Sequence, residues 1–154
     1  MKTQDGEADP RYRALIELLR TADAVWDASR VFFARWDLSP SQFNVLNLLR
    51  LNGAGLSQTD LSRELLTHRS NVTGLVDRLE KRGLVARRDA TGDRRAYSVV
   101  LTAAGAALLR QILPGYYRRA CAVWSGVSGR RASELASHLR EIAKNARQIA
   151  GAES

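Results

Sequence analysis

Between residues 67 and 95 the side chains have types and spacing suited to one kind of chemistry: hydrogen bonding to base edges and to phosphate. On a helical wheel over residues 68–82, Ser70, Gly74 and Arg78 lie opposite Val72, Leu75, Val76 and Leu79, with Asn71 and Thr73 at the flanks. Ser and Thr exchange hydrogen bonds with several base edges, and Asn pairs with adenine. Gly74 brings no side chain between such a helix and a duplex, and Arg69 and Arg78 stand where they can clamp phosphates near its two ends. An arginine-rich turn follows, Arg87-Arg88-Asp89-Ala90-Thr91-Gly92-Asp93-Arg94-Arg95, between two β-prone segments. Arg94 is the candidate for a narrow minor groove, where negative potential is enhanced. Arg87, Arg88 and Arg95 divide between phosphate contacts and salt bridges at the base of the strands. Asp93 cannot usefully face phosphate, so its expected role is to structure the turn by capping or by pairing with an arginine. The alternative is a solvated helix with a small-polar face; the basic hairpin directly after it weighs against that.

Other chemistries lack their residues. The sequence offers no paired carboxylates, no cysteine–histidine nucleophile and no glycine loop that cradles phosphate, so no catalytic role is expected. His68, His138 and Cys121 have no metal-ligand spacing, and no metal or other cofactor is expected. A single cysteine cannot form an internal disulfide and favours a reducing compartment. No apolar run reaches the ~20 residues of a membrane span, and the polar start MKTQDGEADP has no hydrophobic stretch for a secretory signal. A cytoplasmic location without membrane contact follows as the expectation.

The reading helix needs a scaffold. Leu15, Leu18, Leu19, Ala22, Val25, Trp26, Ser29, Phe32, Phe33 and Trp36 recur at three- and four-residue spacing, which predicts a long opening helix with a broad apolar side. Ser39-Pro40-Ser41-Gln42 combines an N-cap serine, proline at the first helical position and a capping-box glutamine. The helix it starts carries Phe43, Val45, Leu46, Leu48 and Leu49 and ends near Asn52-Gly53. Ser57 opens a further short helix with Leu61 and Leu65 inward. Gly83 closes the reading helix. Leu84-Val85 and residues 96–101 read as strands around a turn at 89–93, with Tyr97, Val99 and Leu101 on the packed face. Thr102 caps a helix that Pro114 kinks without stopping, and Ser128 caps a last helix with an apolar side from Ala132 to Ile149.

The formal charge of +8 on 154 residues favours a polyanionic partner. Its distribution does not locate the surface, because residues 110–154 are as basic as the hairpin region. The expected architecture is mainly α with a small β-hairpin. Residues 1–10 form a flexible tail and residues 38–101 the DNA-binding region. Residues 11–37 and 102–150 form a helical dimerisation region, because the apolar sides of the first and last helices exceed what a small reader can cover.

Three segments together resemble the MarR family of winged helix-turn-helix transcription regulators. They are Leu38 to Leu46, Arg69 to Val85, and Asp93-Arg94-Arg95 followed by Val99-Val100-Leu101-Thr102-Ala103-Ala104-Gly105. The resemblance covers about residues 11–150 and implies a homodimer that binds pseudo-palindromic double-stranded operators, usually as a repressor. It places the helix of Arg69–Arg82 in the major groove and the wing with Asp93 and Arg94 in the minor groove. It also implies relief by a small aromatic ligand in a crevice, for which Trp26, Phe33, Trp36 and His68 are the candidates. Core or interface packing is the default explanation of the aromatic residues, and a structural hydrogen bond that of His68. The family's peroxide-sensing cysteine lies in the opening helix. Cys121 does not match it and reads as a small buried hydrophobe. A constitutive or architectural DNA binder without effector is the alternative function.

Overall fold

The computed structural model describes residues 9–65, 69–89 and 97–152. Helix α1 (Pro10–Phe33) continues into a 3-10 turn, Ala34–Trp36, and is followed by α2 (Pro40–Leu51), β1 (Leu56–Ser57), α3 (Gln58–Glu64) and α4 (Arg69–Lys81). Strands β2 (Val85–Asp89) and β3 (Tyr97–Leu101) precede α5 (Ala103–Val123) and α6 (Gly129–Ala152). The architecture is mainly helical with one small antiparallel sheet of order β1-β3-β2. The chain separates into two compact units, Met1–Leu109 and Arg110–Ser154.

The local signals act as their chemistry dictates. Asp9 caps α1 by accepting from the Arg11 N–H at 2.8 Å. At α2, Ser39 Oγ accepts from the Gln42 N–H at 3.2 Å and the Gln42 side chain accepts from the Ser39 N–H at 2.8 Å, a complete capping box with Pro40 behind the cap. Ser39→Ala should therefore lower the unfolding free energy by about 1 kcal/mol, measured as a shift in urea midpoint at constant slope. Ser57 caps α3. Thr102 Oγ1 accepts from the Gly105 N–H at 3.1 Å and donates to the Gly83 carbonyl at 2.6 Å, so one hydroxyl caps α5 and ties it to the end of α4. Pro114 sits inside an unbroken α5.

The first unit contains a core in which Phe33, Phe43, Leu46, Leu61, Leu79 and Val99 are at most 2% exposed. Phe33 stacks on Phe43 with ring centres 4.2 Å apart. Two features differ from expectation. β1 adds a third strand, with Leu56 opposite Val99 and Ser57 opposite Ser98. Together β1 and β2 pair both edges of β3, on which Val99 and Val100 are both buried while Tyr97 is exposed, in place of simple alternation. Gly55 makes this possible: it has φ of +88°, and a Cβ there would lie 2.7 Å from both Val100 Cγ1 and the Val99 carbonyl. Along α1, Leu15, Leu19, Val25 and Trp26 are exposed, as are Leu135, Ile142 and Ile149 along α6.

Candidate nucleic-acid interface

Helix α4 carries the expected reading face. Val72, Leu75, Val76 and Leu79 are buried, which rotates Asn71, Thr73, Arg78 and Lys81 outward, with Gly74 half-buried among them. Arg69 and Ser70 begin the helix. Arg78 Nε donates to the Gly74 carbonyl at 3.0 Å, so its guanidinium folds back along the helix over the glycine. Among the described residues, a Cβ on Gly74 would meet only Arg78 Nη2, at 3.5 Å. Helix α4 ends in a Schellman motif: the Gly83 N–H donates to Glu80 O at 2.8 Å and the Leu84 N–H to Leu79 O at 3.0 Å, with Gly83 at φ +68°.

Two arginines hold that end. Arg82 donates to the carbonyls of Trp36, at 3.0 Å, and Asp37, tying α4 to the turn that follows α1. Asp37 there is left-handed with φ of 53°, a conformation its short polar side chain tolerates. Arg87, in β2, bonds the carboxylates of both Asp77 and Glu80. Partial burial disfavours the Arg87 charge, but the bonds to Asp77, Tyr97 and Glu80 prevail and raise its pKa above the usual arginine value.

The remaining predicted residues are not all gathered here. Strand alternation turns Arg88 away from the Arg87 side, into a groove of about 510 Å³ lined also by Gly53, Ala54, Asp89, Ser98 and Val100. Asp93, Arg94, Arg95 and His68 lie outside the described residues. Among the crevice candidates, Phe33 is buried, with its ring stacked on Phe43. Trp36 is half-buried and meets Phe32 edge-on, with ring centres 5.1 Å apart and the Arg35 guanidinium 5.5 Å over the indole. Trp26 is exposed. Cys121 is exposed too, against the expectation of a buried hydrophobe, because it lies on a stretch of α5 whose neighbours from Tyr117 to Val123 are all solvent-facing. Among the described residues no cluster of three His, Cys, Asp or Glu side chains is placed to hold a metal ion. No helix among them is long and apolar enough to cross a membrane. What sequence reasoning missed is Arg82 as a strap and the pairing of Arg87 with both Asp77 and Glu80.

A sequence profile described as the MarR family matches residues 36–96, the segment from the end of α1 through the hairpin. The chain is similar to the MarR family over that segment. It is 38% identical over 98 residues to the HTH-type transcriptional repressor YetL of Bacillus subtilis, a match spanning 63% of this chain and 59% of that protein. The chain thus spans less than two thirds of that relative's length. Among solved structures, a MarR protein from Peptoclostridium difficile shares the fold, with a TM-score of 0.80 at 20% identity over 97% of this chain and 93% of that one. BpsR of Bordetella bronchiseptica, whose DNA binding is regulated by 6-hydroxynicotinic acid, is 27% identical with a TM-score of 0.74, over 82% of this chain and 91% of that one. By position, α4 corresponds to the recognition helix of a MarR-family winged helix-turn-helix and β2–β3 to its wing.

Proposed function

We propose that this chain is a MarR-family, sequence-specific DNA-binding transcriptional regulator, a homodimeric repressor that a small aromatic ligand releases from its operator. The observation that carries the reading is the outward face of α4. Asn71 and Thr73 are exposed around a glycine whose surroundings are open, directly opposite a fully buried apolar face. Such a helix presents hydrogen-bonding groups at the radius of its own backbone, which is what entry into a major groove requires. Two such helices in a dimer read half-sites about one DNA turn apart, roughly 34 Å.

The exposed apolar residues of α1 and α6 support self-association, since apolar surface on that scale is otherwise costly in water. The relation to a repressor supports repression, and that to a ligand-regulated regulator supports an effector. Trp36, half-buried beside Arg35, is the aromatic side chain best placed for effector contact in this reading. An effector acts only if it binds the DNA-competent and released states with different affinity. The protein works without catalysis or cofactor, in the cytoplasm.

The test is a fluorescence-anisotropy titration at fixed salt of duplex from upstream of its own gene against scrambled duplex. Tight, selective binding with one dimer per site is expected. Equal weak affinity for both duplexes is the result of an architectural binder and contradicts the proposal. Asn71→Ala should reduce discrimination between cognate and singly mismatched duplex by about ten-fold or more, corresponding to roughly 1–3 kcal/mol, while scarcely altering affinity for random DNA. Equal loss on both would make Asn71 a backbone contact.

A further inference from the structure

We infer that Arg87 is a positioning residue, which fastens the wing to the recognition helix and masks two carboxylates there, and that it does not bind phosphate itself. Its consequence for DNA rests on the regulator reading above; the clamp belongs to the free protein.

Arg87 lies in the middle of β2, opposite Val99 of β3. One terminal nitrogen of its guanidinium bonds Asp77 Oδ1 and the other Glu80 Oε2. Its backbone N–H donates to Glu80 Oε1 at 2.9 Å, so Glu80 grips the strand by main chain and side chain together. The guanidinium carbon stands 5.4 Å from the centre of the Tyr97 ring, which is the diagonal neighbour of Arg87 across the strands. The Arg87 side chain is 24% exposed, against 49% and 37% for its two acidic partners. The cation is thus more enclosed than either carboxylate, with both terminal nitrogens bonded to them.

Two consequences follow from charge and geometry. Asp77 and Glu80 stand three residues apart, on one side of the helix that also carries Arg78 and Lys81. Left unpaired, both carboxylates would repel a phosphate backbone brought up to α4; Arg87 offsets one charge and spreads its compensation over both. The fork also sets where β2 leaves the helix. A planar guanidinium spans two carboxylates, and a lysine ammonium does not reproduce that. Arg88, one residue on, lies on the other side of the strand.

The experiment uses the full chain and a duplex that the wild type selects from a random-sequence pool. Arg87→Met should quicken amide hydrogen exchange in β2 and β3 of the DNA-free protein about ten-fold or more, and weaken duplex binding by a similar factor. Arg87→Lys should fall between. The charge swap Arg87→Glu with Glu80→Arg, at unchanged net charge, should return both quantities to within a few-fold of wild type. All titrations are made well below the melting temperature of each variant, so a global loss of structure does not enter.

Unaltered exchange in Arg87→Met overturns the clamp. Restored exchange without restored DNA affinity in the swap overturns the masking and positioning role and makes Arg87 a phosphate ligand. If the wild type selects no sequence, the regulator reading fails by itself. Quickened exchange in Arg87→Met would still establish the clamp.

Discussion

Gly105→Ala is expected to be among the most destabilising single substitutions in this chain, by about 3 kcal/mol or more. Gly105 is buried in the first turn of α5, where the helix presses on the chain between α4 and β2. A Cβ at this position would lie 2.2 Å from the Leu84 carbonyl oxygen, 3.1 Å from the Leu84 carbonyl carbon and 2.7 Å from Leu101 Cδ1. The Leu101 methyl can move, but the Leu84 carbonyl cannot easily do so, because it accepts the Thr102 N–H at 3.2 Å. The same short stretch holds the Thr102 hydroxyl bonds that cap α5. Relieving the clash means lifting α5 from β2 and breaking that set together. For a chain of this size, about 3 kcal/mol lowers Tm by about 6–12 °C, which circular dichroism reads directly. Gly53→Ala is the control, since nothing stands within 4 Å of a Cβ there. A Gly105→Ala protein melting with the wild type would show that α5 does not press on Leu84 in solution.

The largest effect on DNA binding is expected at Gly74. Here stability and function should move in opposite directions. Among the described residues, the methyl that Gly74→Ala adds meets only Arg78 Nη2 at 3.5 Å, an ordinary contact. Removing a glycine from a helix interior is worth up to about 1 kcal/mol, so Tm should rise slightly. Gly74→Glu keeps the fold for the same reason, yet sets a carboxylate on a longer side chain between the helix and the duplex. Affinity for a selected duplex should fall by about 100-fold or more, combining steric exclusion with like-charge repulsion. Anisotropy titration beside thermal denaturation separates the two effects. Full affinity in Gly74→Glu would mean that this face of α4 does not meet DNA.

Features written in contiguous residues are legible in the sequence. The Ser39–Gln42 box, the Ser57 and Thr102 caps and the apolar face of α4 need only neighbours within a few helical turns. Features made by partners far apart are not. β1 is two residues long, and Leu56-Ser57 looks like the tail of a turn and the cap of a helix until Val99 and Ser98 pair with it. Arg87 reads equally as a phosphate ligand or a salt-bridge partner, because no sequence spacing tells which acid a strand arginine meets. Three- and four-residue spacing marks a stripe, but not what covers it: Phe33 shares its stripe with Trp26, and one is core while the other is exposed. Arg82 carries no signal, since its acceptors are main-chain carbonyls at residues 36 and 37, which every sequence possesses.

In the sheet order β1-β3-β2, the first strand precedes α3, α4 and β2 in the chain while its partner β3 follows them. The sheet therefore closes only after the whole intervening segment has been laid down. Leu56 meeting Val99 is a distant contact whose loop-closure entropy is met before any reward arrives. During synthesis the recognition helix emerges ahead of the strand that completes the sheet, and a ribosome-bound reader stays unfinished until residues 97–101 are free.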